Sequence, residues 1–249
     1  MRNNKKLLLK NYSDNGFFVI KSLFSTKELK IFDNEILNIT KKLKKNFSRP
    51  FVNLTKDNKL NTAHNLDQIF PRSCLMKIPQ KKDLKEIIES IFDENFVLRN
   101  LEIFAKPAKT GMKAPFHQDN FYWNIIDKRA VNIWITLDKV TKKNGGLIYL
   151  KGSHKGGVLK HTLSNVQGTS QEIKKSLIEK LKYKVKTPLL NRGDCLVHHC
   201  EVIHGSNPNL SNNNRRAIVI SLKAKTSKVD KKKLNKYLKK LKNKLNKVI

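Results

Sequence analysis

Cysteine is scarce in this chain: Cys74, Cys195 and Cys200 are the only three in 249 residues. An odd number without C-x-x-C spacing argues against a disulfide framework and a zinc ribbon, and fits a reducing, cytoplasmic setting. Long apolar runs are missing too. The opening "MRNNKKLLLK" holds only a three-leucine run, too short for a signal-peptide core, and no later stretch is long enough to span a bilayer. The chain is therefore expected to be soluble. No internal repeat is visible. Acidic residues are few, 20 Asp+Glu against 52 Lys+Arg, for a formal net charge of +32. Such an excess raises nucleic acid or an anionic membrane surface as partners. The charge is overwhelmingly Lys, however, and is spread along the whole chain among Asn and Ile, whereas base-edge and phosphate recognition favours the planar fork of Arg. It reads as compositional drift with a solvated surface, and nucleic acid is not expected as a partner.

At this length a β-rich chain commonly forms one domain, expected here over residues 1–225. "DNGFFVIKSLFSTKEL" gives a turn, a strand from Phe17 to Ile20 and a helix start, with Ser25 and Glu28 forming a capping box. Leu29, Phe32, Ile36, Ile39 and Leu43 then place one apolar stripe toward a core, until the basic run "KKLKKN" and Pro50 end the helix. A second helix is expected from Asp83 to Phe92. From Phe96 the texture changes to short β-branched and aromatic segments: "FVLRNLEIFAK", "AVNIWITLDKV", "GLIYLKG", "DCLVHHCEVI" and "RAIVISLKAK". Helices followed by many strands predict a mainly β fold with flanking α, a sandwich or jelly-roll barrel braced by N-terminal helices. An insertion at about Ser164 to Leu181 carries a short helix through Ile173, Leu177 and Leu181. Residues 226–249 read as a Lys-rich amphipathic C-terminal helix with Leu234, Leu238, Leu241, Leu245 and Val248 on one face. That helix packs on its own domain, mediates a dimer or touches an anionic surface.

The chemistry concentrates in "APFHQDNFYW", Ala114 to Trp123. In an extended segment residues i and i+2 share a side, so His117 and Asp119 present an imidazole and a carboxylate to one point. Alone, H-x-D is more often a turn with a His–Asp hydrogen bond. A third ligand is supplied by His204 in "VIHGSNPN", at the end of an apolar strand and before a polar loop. Two imidazoles and a carboxylate make a facial triad, which leaves three positions open on an octahedral Fe(II) for a chelating cosubstrate and O2. A 2-oxo dicarboxylate would need a cation for its far carboxylate, and "NNNRRAIVIS" offers Arg215 and Arg216. Alternation lets one of the two point inward, and Arg215 is favoured.

"HQD", the Trp within "NIWITLD", "NGGLIYLKGSHKGG", "GD" before a strand and "HGSNPN" with Arg soon after occur in one order. That order, with the opening "NGFFVIKSLFSTKEL", resembles the phytanoyl-CoA dioxygenase family over roughly Asp14 to Lys223. The resemblance implies a double-stranded β-helix of the cupin-like kind, with Fe(II), 2-oxoglutarate and O2. It implies His117, Asp119 and His204 as metal ligands and catalytic centre, Arg215 as anchor for the distal carboxylate, and Trp134 and Ser206 lining the cosubstrate pocket. The implied reaction hydroxylates a small molecule while 2-oxoglutarate is decarboxylated to succinate. Two departures stand out: Lys151 replaces a Pro common before the "GSH" loop, and upstream of His117, where the cosubstrate contacts vary between relatives, the chain offers Arg72 and Glu102. Some relatives put a small residue in place of the carboxylate ligand and halogenate; Asp119 argues for hydroxylation.

Asn120, Tyr122 and Trp123 follow the ligand pair and are candidates for the substrate entrance. His154 and His161 read as loop or surface histidines. Of His198 and His199, one faces the barrel interior and one the outside, in structural or supporting roles. The basic surface favours an anionic substrate. Two rivals are a vestigial jelly-roll binding protein using its basic surface, and a cupin-like isomerase or hydrolase; Arg215 speaks against the latter.

Overall fold

The computed structural model of the chain describes residues 2–46, 51–166 and 169–245. It begins with α1 (Arg2–Asn15), β1 (Phe17–Ile20) and α2 (Thr26–Asn46), followed by the hairpin of β2 (Val52–Leu54) and β3 (Leu60–Ala63). Next come α3 (Leu66–Ile69), a 3-10 helix (Cys74–Gln80) and α4 (Lys82–Phe92). The strand-rich part holds β4 (Phe96–Phe104), β5 (Ala114–His117), α5 (Asn120–Trp123), β6 (Ala130–Thr136) and β7 (Leu147–Leu150). After these lie β8 (Thr162–Leu163), β9 (Gln171–Glu172), α6 (Lys175–Lys180), β10 (Val185–Lys186), β11 (Cys195–His199), β12 (His204–Ser206), β13 (Ala217–Ala224) and α7 (Lys231–Leu245).

Seven antiparallel strands form one sheet in the order β1-β11-β6-β13-β4-β3-β2, and four form another in the order β10-β7-β12-β5. This is the jelly-roll arrangement. The large sheet is buried on both faces, and β6 is buried at every residue. Its outer face meets the helices: Val131, Ile133, Ile135, Ile218, Ile220 and Leu222 join Phe32, Ile36, Ile39, Leu84, Ile88 and Phe92 in one core. Each such side chain contributes about 1.5–3 kcal/mol by leaving water. The alternate residues of β6 and β13, among them Trp134 and Val219, face inward and pack with Phe17, Tyr149 and Leu196. Alternation thus gives one side of each strand to the core and the other to the site.

The capping box forms as expected, with the Ser25 amide donating to Glu28 Oε2 at 2.8 Å and the Glu28 amide to Ser25 Oγ at 3.3 Å. Pro50 and Val248 lie outside the described residues, as do the side chains of Leu241 and Leu245. Three expectations need correction. The helix α1 and the β2–β3 hairpin were not anticipated. The insertion helix is limited to Lys175–Lys180, with Ile173 buried just before it. The segment "DCLVHHCEVI" is not one strand: β11 stops at His199, the Val202 amide closes a turn on the His199 carbonyl, and His204 opens β12 in the other sheet. The helix α7 is present and touches α5 beside the site. Among the described residues no helix is long and apolar enough to cross a membrane, and all three cysteines are free.

Candidate active site

Strand pairing sets the site. His204 on β12 sits directly opposite His117 at the end of β5, and their rings are 4.3 Å apart. Gly205 permits this closeness: a Cβ there would lie 2.8 Å from the Ala114 carbonyl oxygen and 3.1 Å from the Phe116 nitrogen. Asp119 is not in an extended segment; the chain turns helical at this residue and enters α5. The turn is held by its neighbours. Gln118 is fully buried and donates to the Gly157 and Glu201 carbonyls, and Asn120 bonds Ile125 and Glu201. With these two side chains directed into the protein, the Asp119 carboxylate turns toward the two imidazoles. Oδ1 of Asp119 lies 3.6 Å from His117 Nε2 and 3.8 Å from His204 Nε2. One ligand atom from each of the three falls within 4.8 Å of the others.

The rings are oriented for this. His117 Nδ1 donates to the Pro115 carbonyl at 2.8 Å and His204 Nδ1 to the Val202 carbonyl at 3.0 Å, which leaves both Nε2 lone pairs aimed inward. The second oxygen of Asp119 is taken up by the large sheet. His198 Nε2 donates to Oδ2 at 2.9 Å and Asn132 Nδ2 at 3.1 Å. His198 Nδ1 in turn accepts from the Tyr149 hydroxyl at 2.8 Å, and Asn132 Oδ1 from Ser221 at 3.3 Å. Burial disfavours the Asp119 anion, but hydrogen bonding to the His117 and His198 rings outweighs it and holds the carboxyl well below its usual range. Burial, reinforced by the neighbouring imidazole of His117, lowers His204 to about 3. His204 is thus a neutral imidazole at physiological pH, the form a metal requires.

Two residues beyond His204 on the same strand, Ser206 faces a second cluster. Arg215 is 2 % exposed, stacks over Trp134 at 4.9 Å, and has Nε and Nη1 buried without a hydrogen-bond partner. Arg216 points the other way and binds Asp138 and Asp33, so alternation separates the two arginines as expected. Lys106, 4 % exposed, donates to Ser206 Oγ at 2.6 Å and to the Asn207 carbonyl at 2.5 Å. Burial and the adjacent Arg215 push Lys106 down to about 6, and burial lowers Arg215 to about 9. The buried guanidinium of Arg215, with two donors unpaired and the Lys106 amine beside it, fits an anion. The donor set of two imidazoles and a carboxylate fits Fe(II), and the Arg215 guanidinium behind it fits the far carboxylate of 2-oxoglutarate.

The remaining sequence candidates divide. Tyr122 stands edge-on to His117 at 6.0 Å, with its hydroxyl on the Gln171 carbonyl. Trp123 lies under the Arg99 guanidinium. Asn120 is buried with its amide engaged as described, bracing α5. His161 is buried rather than superficial; it stacks on Phe121 at 4.1 Å and accepts the Gln118 amide on Nε2, and burial lowers it to about 4. His154 meets the Ser13 carbonyl, His198 faces inward and His199 packs on Tyr12. Arg72 is exposed on the surface. Glu102 is near the site, paired with His64 at 2.5 Å and with Asn100. Sequence reasoning missed Lys106, Asn132, Tyr149 and Arg99. A Lys beside Pro at a strand end was the only local signal for the first.

The phytanoyl-CoA dioxygenase (PhyH) family model matches residues 12–217. The chain belongs to this family. The peroxisomal phytanoyl-CoA dioxygenase of Bos taurus is 27% identical to this PhyH member over 226 residues, or 84% of the chain. The chain spans just under two thirds, 65%, of that relative's length. A probable alpha-ketoglutarate-dependent hypophosphite dioxygenase of Stutzerimonas stutzeri is 26% identical over 233 residues, 86% of this chain and 77% of the relative. Among solved structures, EctD from S. alaskensis with 2-oxoglutarate and 5-hydroxyectoine superposes with a TM-score of 0.72 at 17% identity, covering 89% of this chain and 77% of that one. That last likeness is one of fold.

Proposed function

We propose that this PhyH member is an Fe(II)- and 2-oxoglutarate-dependent dioxygenase that hydroxylates a small molecule and converts 2-oxoglutarate to succinate. In this reading His117, Asp119 and His204 hold the iron, and Arg215, Ser206 and Trp134 hold the cosubstrate. The observation that carries it is Arg215: a guanidinium buried beside the triad with two donors unpaired is costly unless an anion fills its site. A vestigial site would be expected to have lost so unfavourable a group.

When bound, the iron and its cosubstrate supply the oxidising chemistry that replaces a C–H bond by C–OH using O2. The chain's own part is positioning. The backbone carbonyls of Pro115 and Val202 fix both imidazoles, and His198 and Asn132 keep Asp119 Oδ1 directed to the ligand face. Trp134 covers the guanidinium of Arg215 and keeps water from it, while Ser206 sets the edge of the cosubstrate pocket. Tyr122 and Trp123 form the wall on the substrate side. The free cysteines fit the cytoplasm, where we place the protein.

An anaerobic titration of the metal-free protein with Fe(II) and 2-oxoglutarate tests this by the visible charge-transfer band of the chelate. The parent should show the band, and Arg215→Ala should need about 10- to 100-fold more cosubstrate, the worth of a charge-assisted pair of hydrogen bonds. No band at saturating iron would defeat the reading.

A further inference from the structure

Arg99 is used by nothing described so far. It lies on β4 where the pairing with β13 skips a residue: Ser221 faces Asn100 and Leu222 faces Leu98. Such a bulge re-aims the side chain it carries and recurs beside active sites. The guanidinium lies over Trp123, 4.7 Å from the ring, at the end of the turn that begins with Asp119. Arg129, Arg192 and Arg216 each hold a carboxylate within 2.9 Å, whereas Arg99 has neither a hydrogen bond nor a carboxylate within 4.0 Å among the described residues. On the open side stands α7. Its Tyr237 meets Tyr122 at 5.7 Å and Phe121 at 6.1 Å, and bonds Ser170 at 2.9 Å. Burial raises the Tyr237 hydroxyl, and its bond to Ser170 and then the charge of Arg99 draw it back.

We propose that Arg99 is the anion-binding residue of the substrate pocket and takes a carboxylate of a small metabolite, with Trp123 fixing the guanidinium and Tyr237 closing the far wall. A guanidinium offers two parallel donors to a planar carboxylate. A phosphate dianion fits less well, because the charges of Glu102 and Asp119 also reach Arg99 and would repel the second negative charge. Distance from the cosubstrate anchor is built in, since Arg99 leans on α5 while Arg215 stacks on Trp134 at the other end of the triad. This inference rests on the proposed function, which makes the space beside His117 a substrate pocket.

The experiment follows tryptophan emission while acetate, or neutral acetamide, is added to the full chain saturated with 2-oxoglutarate, with and without Fe(II) under anaerobic conditions. The chain's two tryptophans lie under Arg99 and Arg215, and the cosubstrate occupies the second. The parent should respond saturably to acetate and not to acetamide. Arg99→Gln should weaken that response about tenfold or more, Arg99→Lys should restore part of it, and both should keep the iron–cosubstrate charge-transfer band. An equal acetate response in Arg99→Gln, or none in the parent, overturns the proposal. A response lost in Arg215→Ala but kept in Arg99→Gln overturns it too, by placing the anion at the other arginine. Absence of the band in the parent would defeat the proposed function separately, leaving the emission comparison to judge Arg99.

Discussion

His198 Nε2 reaches Asp119 Oδ2 across 2.9 Å, joining residues 79 positions apart. The bond ties the carboxylate of the small-sheet side to a strand of the large sheet. It settles which oxygen of Asp119 is free to face the two imidazoles. Replacing such a supporting partner typically lowers metal affinity 10- to 100-fold. His198→Ala is therefore expected to weaken Fe(II) binding by about that factor, measured anaerobically by competition with a chelator. His199→Ala serves as the comparison, since that ring packs on Tyr12 and away from Asp119, and it should leave iron affinity unchanged. Equal losses in the two variants would remove His198 from its positioning role.

Gly205 lets β12 approach β5, and a methyl group at that position would sit 2.8 Å from a carbonyl oxygen. The strands must part to admit it. Gly205→Ala should cost about 1–3 kcal/mol in a urea unfolding experiment, the usual penalty of overpacking. Because His204 is the preceding residue and pairs with His117, iron affinity should fall in the same variant. Unfolding midpoint and iron titration both at parental values would show that the strand approach is slack.

Lys106 makes a pH prediction whose sign is fixed by burial. Its folded value is pushed down to about 6 from an ordinary 10.5, by burial first and by Arg215 second. Below the folded value both states carry the proton and the destabilisation is fully present. Between the two values the unfolded chain holds a proton that the folded chain lacks, so stability rises as pH increases from 6 toward 10.5. Urea unfolding of the cosubstrate-free protein over this window should show that rise, and Lys106→Met should flatten it. A full slope in the variant would assign the effect to another group. An arriving carboxylate favours the ammonium form, so calorimetry at pH 8 in buffers of different ionisation heat should register proton uptake with 2-oxoglutarate.

The parts of the site that could be read in advance are those written into short runs of chain. His117 and Asp119 lie two apart but are brought together by a helical turn and not by an extended strand. His204 precedes a Gly and a polar loop and Arg215 adjoins a strand, so local chemistry and order pointed to these two. The core stripe of α2 and the alternation of β6 and β13 were legible for the same reason. Asn132, Tyr149 and His198 are different: their joint role depends on which strands lie side by side, and β11, β6 and β7 are separated by long loops. Lys106 was hidden among many other lysines, and only burial distinguishes it. The helix α1 was obscured by Lys and Asn, which thin its apolar face to Leu8 and Tyr12. The break after His199 was missed because Cys200, Val202 and Ile203 keep the segment strand-like around Glu201, while the chain there turns a corner between sheets.

The family match ends at residue 217, yet Tyr237 stands against the aromatic ring next to His117. One aromatic residue beside the proposed pocket is therefore written outside the stretch that carries the triad. A tail exchanged between two such chains would carry its aromatic residue with it and reshape the cavity mouth, with no change to the triad or to the arginine behind it. In the proposed reading, a residue that borders the substrate can be exchanged here while the residues that hold the iron stay as they are.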